Sequence, residues 1–529
     1  MLKFQVFDKG RPATQWPLRN AYLTGSDNTA IRAEVRFEDG VVLCQKRELG
    51  AAALALQQPV GECGELTIQT CLLPERDEPY LLNLELARHR LMVLYNKLED
   101  WMMFDLDQGH PVVKRAEVAK KLFIEALCYQ KHDPVRADRL AHDCLVTAID
   151  GTEELAIAHA TLLLKRRKES GSLPRYPLGC GIKLDQNQER VRAGLAANFD
   201  FACLPTPWRI LAPVEDEYRW DLLDNWVEWA ARVRMPVVAG PIVSFDPSVL
   251  PDWVYIWEHD YDTVRDLLYE HTERIVTRYR NRVHTWIVAS SLHVNSHFSF
   301  AFEQLMDLTR MSTMLVKKIQ PHAKVIVEIC QPFGEYYGTN QRSIPPLMYA
   351  DLLIQGAISF EAFGIKLNMG QAVPGQYTRD LMQISNLLDQ FSGWGKQVTL
   401  RIAAPSNPVT DLMIVSPDET TPVDANCGYW RKPWSHTVQG HWVEAVLNIA
   451  MSKPFIEAVA WQDIMDHEDT ELPLAGLISE DMQPKAAFRR LVTFRKSLDL
   501  DSAGRPGSAS ARKDSSDHAS GGPAVSGSL

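Results

Sequence analysis

The sequence predicts a multidomain chain: an N-terminal all-β sandwich, a helical connector and a C-terminal (β/α)8 TIM barrel. Three observations predict it. Short alternating runs split by turn residues occupy residues 1–82. The apolar period then lengthens to that of helices over residues 83–172. From residue 173 to residue 500, eight apolar runs alternate with helical segments.

The chain is long enough for more than one core, with 529 residues, 46% of them hydrophobic and 23% charged. In the first part, LKFQVFD, AIRAEVRFE, GVVLCQKRE and GELTIQTCLL are short alternating runs separated by Gly, Asp and Pro. Strands of that length and spacing suit a small sandwich. In the second part, Leu91, Val93, Leu94 and Leu98 recur at helical spacing, as do Leu122, Ile124, Ala126 and Leu127. Asp133-Pro134 is a helix start, an N-cap followed by proline at the first helical position. Gly171-Ser172-Leu173-Pro174 is a turn cluster that marks the next boundary.

The third part holds the runs PLGCGIKL, FDFACLP, PVVAGPIV, HTWIVAS, KVIVEIC, FEAFGIKL, QVTLRIAA and IEAVAWQD. Helical patterns such as residues 260–282 and 300–319 separate them. Alternating β and α elements imply a parallel sheet, and eight repeats imply closure into a barrel. Residues 501–529 are rich in Gly, Ser and Ala, lack aromatic residues and read as a disordered tail.

Several function classes are disfavoured. A net charge of −11 opposes a nucleic-acid partner, which needs a basic face. The run Lys165, Arg166, Arg167, Lys168 reads as a solvated helix end or linker. MLKFQVFDKG has no apolar core of a secretory signal, and no run approaches the ~18–20 apolar residues of a membrane helix. The 9 cysteines are scattered, with no C-x-x-C pair. They read as reduced thiols in a cytoplasmic protein, with no disulfide framework, metal or cofactor expected. His293 and His297 have the spacing of a metal pair on a helix, but no third ligand accompanies them, so they read as loop or cap histidines. Ser290 and Ser291 lack the Gly-x-Ser-x-Gly elbow of a serine nucleophile.

The segments near the strand ends are more specific. IEAVAWQDIMDHED followed by PLAGLISEDMQPKAAFRRL resembles the closing segment of glycoside hydrolase family 10, the xylanases. The matching residues are Trp461, Gly476-Leu477, Glu480-Asp481 and Pro484-Lys485-Ala486-Ala487-Phe488. GKQVTLRIAAPS resembles the family's seventh strand, LAPVEDEYRWDLLDNWVEWA the segment after the second, and LPDWV that after the third. The resemblance covers residues 175–495 and implies a carbohydrate ligand of the β-linked, xylan-like kind.

Retaining glycosidases need two carboxyl groups about 5–5.5 Å apart, an acid and a nucleophile. In this family both are Glu, ending the fourth and seventh strands. Here the acid position falls on Ser291 and the nucleophile position on Arg401, which can neither protonate a leaving group nor attack an anomeric carbon. Other family positions have changed with them: Val238-Ala239-Gly240-Pro241 on the third strand, Lys366-Leu367-Asn368 on the sixth, and Cys203-Leu204 with Pro207 at the second. Three carboxylates near strand ends are candidate replacements: Glu328, Glu335 (beside Tyr336 and Tyr337) and Asp463. Each has an alternative as a solvated or salt-bridged loop residue. Candidate ligand-binding residues are Trp208, Trp286, Lys366, Asn368 and Trp461, together with Trp430 and Trp434, which suit either a cleft or the packing of a long loop. The expectation is a carbohydrate-binding pseudoenzyme. The alternatives are an active O-glycosyl hydrolase using displaced carboxylates and an interaction scaffold. The sequence carries no signal for an oligomeric state.

Overall fold

The protein is described by a computed structural model covering residues 1–186, 188–408, 426–467 and 470–498. The expected tail, residues 501–529, lies outside the described residues.

The N-terminal runs form two sheets. One orders Tyr80–Leu81, Leu2–Gln5, Val41–Lys46 and Ala33–Glu38. The other orders Tyr429–Trp430, Gly64–Gln69, Ala53–Pro59, Tyr22–Thr24 and Ala30–Ile31. Alternate side chains, such as Phe4, Val42, Leu54 and Ile68, share one core. The edge strand Tyr429–Trp430 comes from the far end of the chain, so the sheet is not the self-contained sandwich expected of residues 1–82.

Three helices follow: α1 (Leu82–Asp100), α2 (Pro111–Tyr129) and α3 (Pro134–Glu169). Asp133 caps α3 by accepting a hydrogen bond from the Arg136 amide, with Pro134 at the first position. Gly171, at φ +65°, lies just beyond its end. These helices do more than connect. Ala141, Cys144, Leu145 and Ala148 of α3 pack on the sheets, while Leu155, Ala156 and Leu164 pack on the barrel. In α2 the inward residues are Val112, Ala116, Ala119 and Ala126. Ile124 and Leu127, grouped above with the apolar stripe, are 53% and 38% exposed, because the buried face runs through the alanines instead.

All eight apolar runs of the third part are strands. They are β1 (Leu178–Gly181), β2 (Phe201–Leu204), β3 (Val237–Ala239, resuming at Val243–Ser244), β4 (Thr285–Ser290), β5 (Lys324–Ile329), β6 (Ala362–Asn368), β7 (Gln397–Ala403) and β8 (Ile456–Trp461). Each pairs in parallel with its neighbours, β8 returns to β1, and β3 meets β4 through Val238 and Thr285. The sheet is therefore a closed barrel. Both faces of such a sheet are buried, which is why the runs read as continuously apolar. Outward positions such as Leu178, Cys180, Trp286, Val288, Val459 and Trp461 meet the surrounding helices. Inward positions are often small: Ala362, Gly364, Ala458 and Ala460.

The sheets and helices are bolted to loops at the C-terminal ends of the strands. Arg90 of α1 forms a buried ion pair with Asp380. Arg431 pairs with Asp150 and Glu153 of α3, and the Trp430 indole donates to Glu153 at 2.8 Å. No described helix is long and apolar enough to cross a membrane.

Candidate functional site

Parallel closure brings every strand's C-terminal end to one rim, where barrel proteins carry function. A cleft of about 600 Å3 opens there, lined by Lys183, Asp185, Asp246, Ser291, Lys366, Arg401, Gln462, Asp463 and Glu471 among others. None of its described lining residues is aromatic.

At its floor, strand register does the positioning. Ser290 lies beside Glu328, Glu328 beside Gly364, and Lys366 beside Arg401. A Cβ on Gly364 would sit 3.2 Å from Glu328 Cβ, so the glycine leaves the path across β6 open. Through that gap the Glu328 carboxylate reaches Arg401 at 2.6 Å, and it also accepts from the Ser290 hydroxyl at 2.7 Å. Burial alone would lower the Arg401 pKa, but the Glu328 carboxylate together with Cys330, Cys203 and Glu471 raises it. Ser291 has a left-handed backbone (φ 60°), and its hydroxyl donates to Cys330 Sγ at 3.1 Å.

Around this floor the charges pair in turn. Lys366 is ion-paired with Glu471, which also accepts from Gln376 Nε2 at 3.1 Å. Burial would lower the Lys366 pKa; the Glu471 carboxylate together with Cys330 and Asp246 raises it. Burial would raise the Asp246 carboxyl, yet Lys366 and the Ser248 hydrogen bonds hold it below its usual range. Lys183 lies 2.8 Å from His467. Asp463 differs. Gly181, where a Cβ would lie 1.9 Å from the Gln462 carbonyl, lets the chain after β8 fold close over β1. That approach buries Asp463, and burial pushes its carboxyl up to about 6 despite the opposing pull of Arg401.

Amides complete the site. Asn368 is 3% exposed, and neither its Oδ1 nor its Nδ2 has a hydrogen-bond partner. It lines a recess of about 30 Å3 with Lys366, Gln331 and Gln376, and the Oε1 atoms of both glutamines are likewise unpartnered. Gln462 Oε1, on the cleft wall, is in the same state.

The structure thus brings together Ser291, Glu328, Lys366, Asn368, Arg401 and Asp463 of the residues singled out in the sequence. It does not bring the others. Glu335 lies between the N-terminal sheet and the barrel, accepting from Arg379 at 2.5 Å and from Asn20 at 3.2 Å. The indoles are packed, and for Trp286 and Trp461 the reason is strand alternation, which turns them away from the barrel axis. Trp461 donates to the Ala475 carbonyl at 2.8 Å and Trp286 to Gln320 at 3.0 Å. Trp208 stacks on His271 at 4.3 Å, while its neighbours Pro207 and Arg209 line the cleft. Trp430 belongs to the sheet edge described above, and Trp434 donates to the Gly428 carbonyl at 3.2 Å. His293 and His297 also separate: His293 is buried against Tyr349 and within 2.9 Å of the Cys330 carbonyl, whereas His297 is exposed.

Lys183, Asp246, Gln462 and Glu471 were not singled out in the sequence. The first three stand within three residues of a strand end, which is a usable signal; Glu471 stands ten residues beyond β8 and carries none.

No family model matches the chain, and no curated protein matches it. Solved structures do show similarity. The glycoside hydrolase family 10 structure from Paenibacillus barcinonensis is 16% identical, covering 61% of this chain and 96% of its own, with a TM-score of 0.46. Xylanase 10B from Thermotoga maritima is 14% identical, covering 63% and 98%, with a TM-score of 0.46. The endo-1,4-beta-xylanase from Caldicellulosiruptor owensensis is 16% identical, covering 60% and 97%, with a TM-score of 0.45.

Proposed function

We propose that the barrel mouth binds a saccharide, of the β-linked kind that the strand-end motifs suggest, without carrying out retaining glycoside hydrolysis. One observation carries this reading: Lys366 and Arg401 at the cleft floor are neutralised by Glu471 and Glu328, while the buried amides keep unfilled hydrogen-bonding positions. Sugar hydroxyls both donate and accept, and an amide offers both roles in return. Hydrolysis would require a free nucleophile beside an acid. Glu328 is instead held by a guanidinium and a hydroxyl, and the positive charge of Arg401 opposes an oxocarbenium-like transition state.

A second reading, hydrolysis by displaced carboxyls, is favoured by one feature only. Asp463 lines the cleft, and burial pushes its carboxyl up to about 6, the range in which a carboxyl can serve as a general acid.

A panel of xylo-, cello- and manno-oligosaccharides, scored by calorimetry and by reducing-end release, separates the readings. Saturable binding without release, weakened about tenfold or more by Asn368→Leu, is the expected result. Release of reducing ends that disappears in Asp463→Asn would establish the second reading. Absence of any binding would overturn both and leave the barrel as a scaffold.

A further inference from the structure

The opposite end of the barrel holds a second chamber. Barrel interiors are ordinarily filled by layers of bulky branched side chains. Here Ala458, Ala460 and Thr399 occupy inward positions, and a cavity of about 340 Å3 remains. Its entrance lies at the N-terminal ends of the strands, since Val237, Thr285 and Lys324, the first residues of β3, β4 and β5, line it. Its walls are Phe201, Val238, Ile287, Ile326, Ala458 and Ala460. Glu328 and Arg401 form its inner end, and Arg401 also lines the cleft above, so the ion pair is a partition between the two spaces.

Such walls give water few partners, whereas the size falls in the range of small-molecule sites, ~300–1,000 Å3. The entrance is charged. Lys324 pairs with Glu457 there. Arg175 stands over the Tyr176 ring, 5.2 Å from its centroid, and among the described residues no carboxylate forms an ion pair with it. An apolar interior with an unneutralised guanidinium at its rim suits a molecule with a chain and an anionic head.

We propose that this lower chamber binds a medium-chain carboxylate, its alkyl chain inside the barrel and its head group at Arg175. The site is independent of the saccharide reading, since it lies on the other side of the Glu328–Arg401 partition.

The test is titration of the full chain with decanoate by calorimetry, with acetate and nonanol as comparators. Saturable one-to-one binding of decanoate is expected, with none for acetate. Ala458→Phe, which fills the chamber, lowers decanoate affinity about tenfold or more, and Val238→Phe serves where that variant misfolds. Arg175→Ala weakens decanoate and leaves nonanol unchanged. A readout without variants is the set of methyl resonances of Ile287 and Ile326, which shift on addition of decanoate. Non-saturable uptake, affinity indifferent to the chamber-filling variants, or unmoved Ile287 and Ile326 resonances would each overturn the proposal. Equal weakening of nonanol by Arg175→Ala would overturn the placement of the head group.

Discussion

Glu328 is 2% exposed and paired with Arg401, and a buried charge is tolerable only while its partner is present. Arg401→Met removes that partner. It should cost about 3–5 kcal/mol in urea denaturation, and Glu328→Leu combined with Arg401→Met should recover most of the loss. A double variant no more stable than the single one would show that the pair does not act as a unit. Asp463 gives a pH signature of the opposite kind. Its pKa is raised from 3.8 to about 6, so the folded state favours the protonated form. The stability it contributes is complete below about pH 3.8 and is lost as the pH rises through about 6. Asp463→Asn keeps the neutral form at every pH. The variant should match the parent below pH 4 and exceed it by about 2–3 kcal/mol at pH 8, measured as unfolding free energy against pH. At this scale the sequence was half legible. Ser291 and Arg401 stand at the ends of β4 and β7, strands that apolar runs announce. Which way an indole faces depends on the inward-outward register of its strand, and Trp286 and Trp461 fall on the outward set.

The elements were legible in proportion to how local their signals are. Eight buried parallel strands wrote eight apolar runs, and α3 wrote its own cap at Asp133-Pro134. The edge strand Tyr429–Trp430 wrote nothing, because it has two residues and its partner lies more than 350 positions away. Its docking depends on two glycines. A Cβ on Gly64 would meet the Tyr429 carbonyl at 2.2 Å, and one on Gly428 the Glu65 carbonyl at 2.2 Å. Gly64 also has φ +112°, a conformation that other residues avoid. Gly64→Ala should therefore destabilise the protein by more than about 1 kcal/mol. It should also speed amide exchange along Gly64–Gln69, which a purely local strain at the glycine would not do.

At the scale of the whole molecule, the N-terminal sheets, the three helices and the barrel share their buried charges. Arg90 with Asp380, and Arg431 with Asp150 and Glu153, cross between the N-terminal part and the barrel loops. The Arg90 and Asp380 side chains are 4% and 0% exposed, so separating them would leave both charges without water or partner unless the surrounding structure opened. The apolar face of α3 adds to this, since its second half is part of the barrel's core. A domain that could fold alone would present a polar interface of the transient kind; this one is apolar with ion pairs enclosed. The full chain should therefore unfold in a single calorimetric transition, with equal van't Hoff and calorimetric enthalpies. A truncated chain beginning at residue 171 should lack a sharp transition and bind a hydrophobic dye, because each broken buried pair costs about 3–5 kcal/mol against a total stability of about 5–15. A truncated barrel that melts cooperatively on its own would show instead that the crossing pairs are accessory, and that the N-terminal part was added to a barrel already able to stand alone.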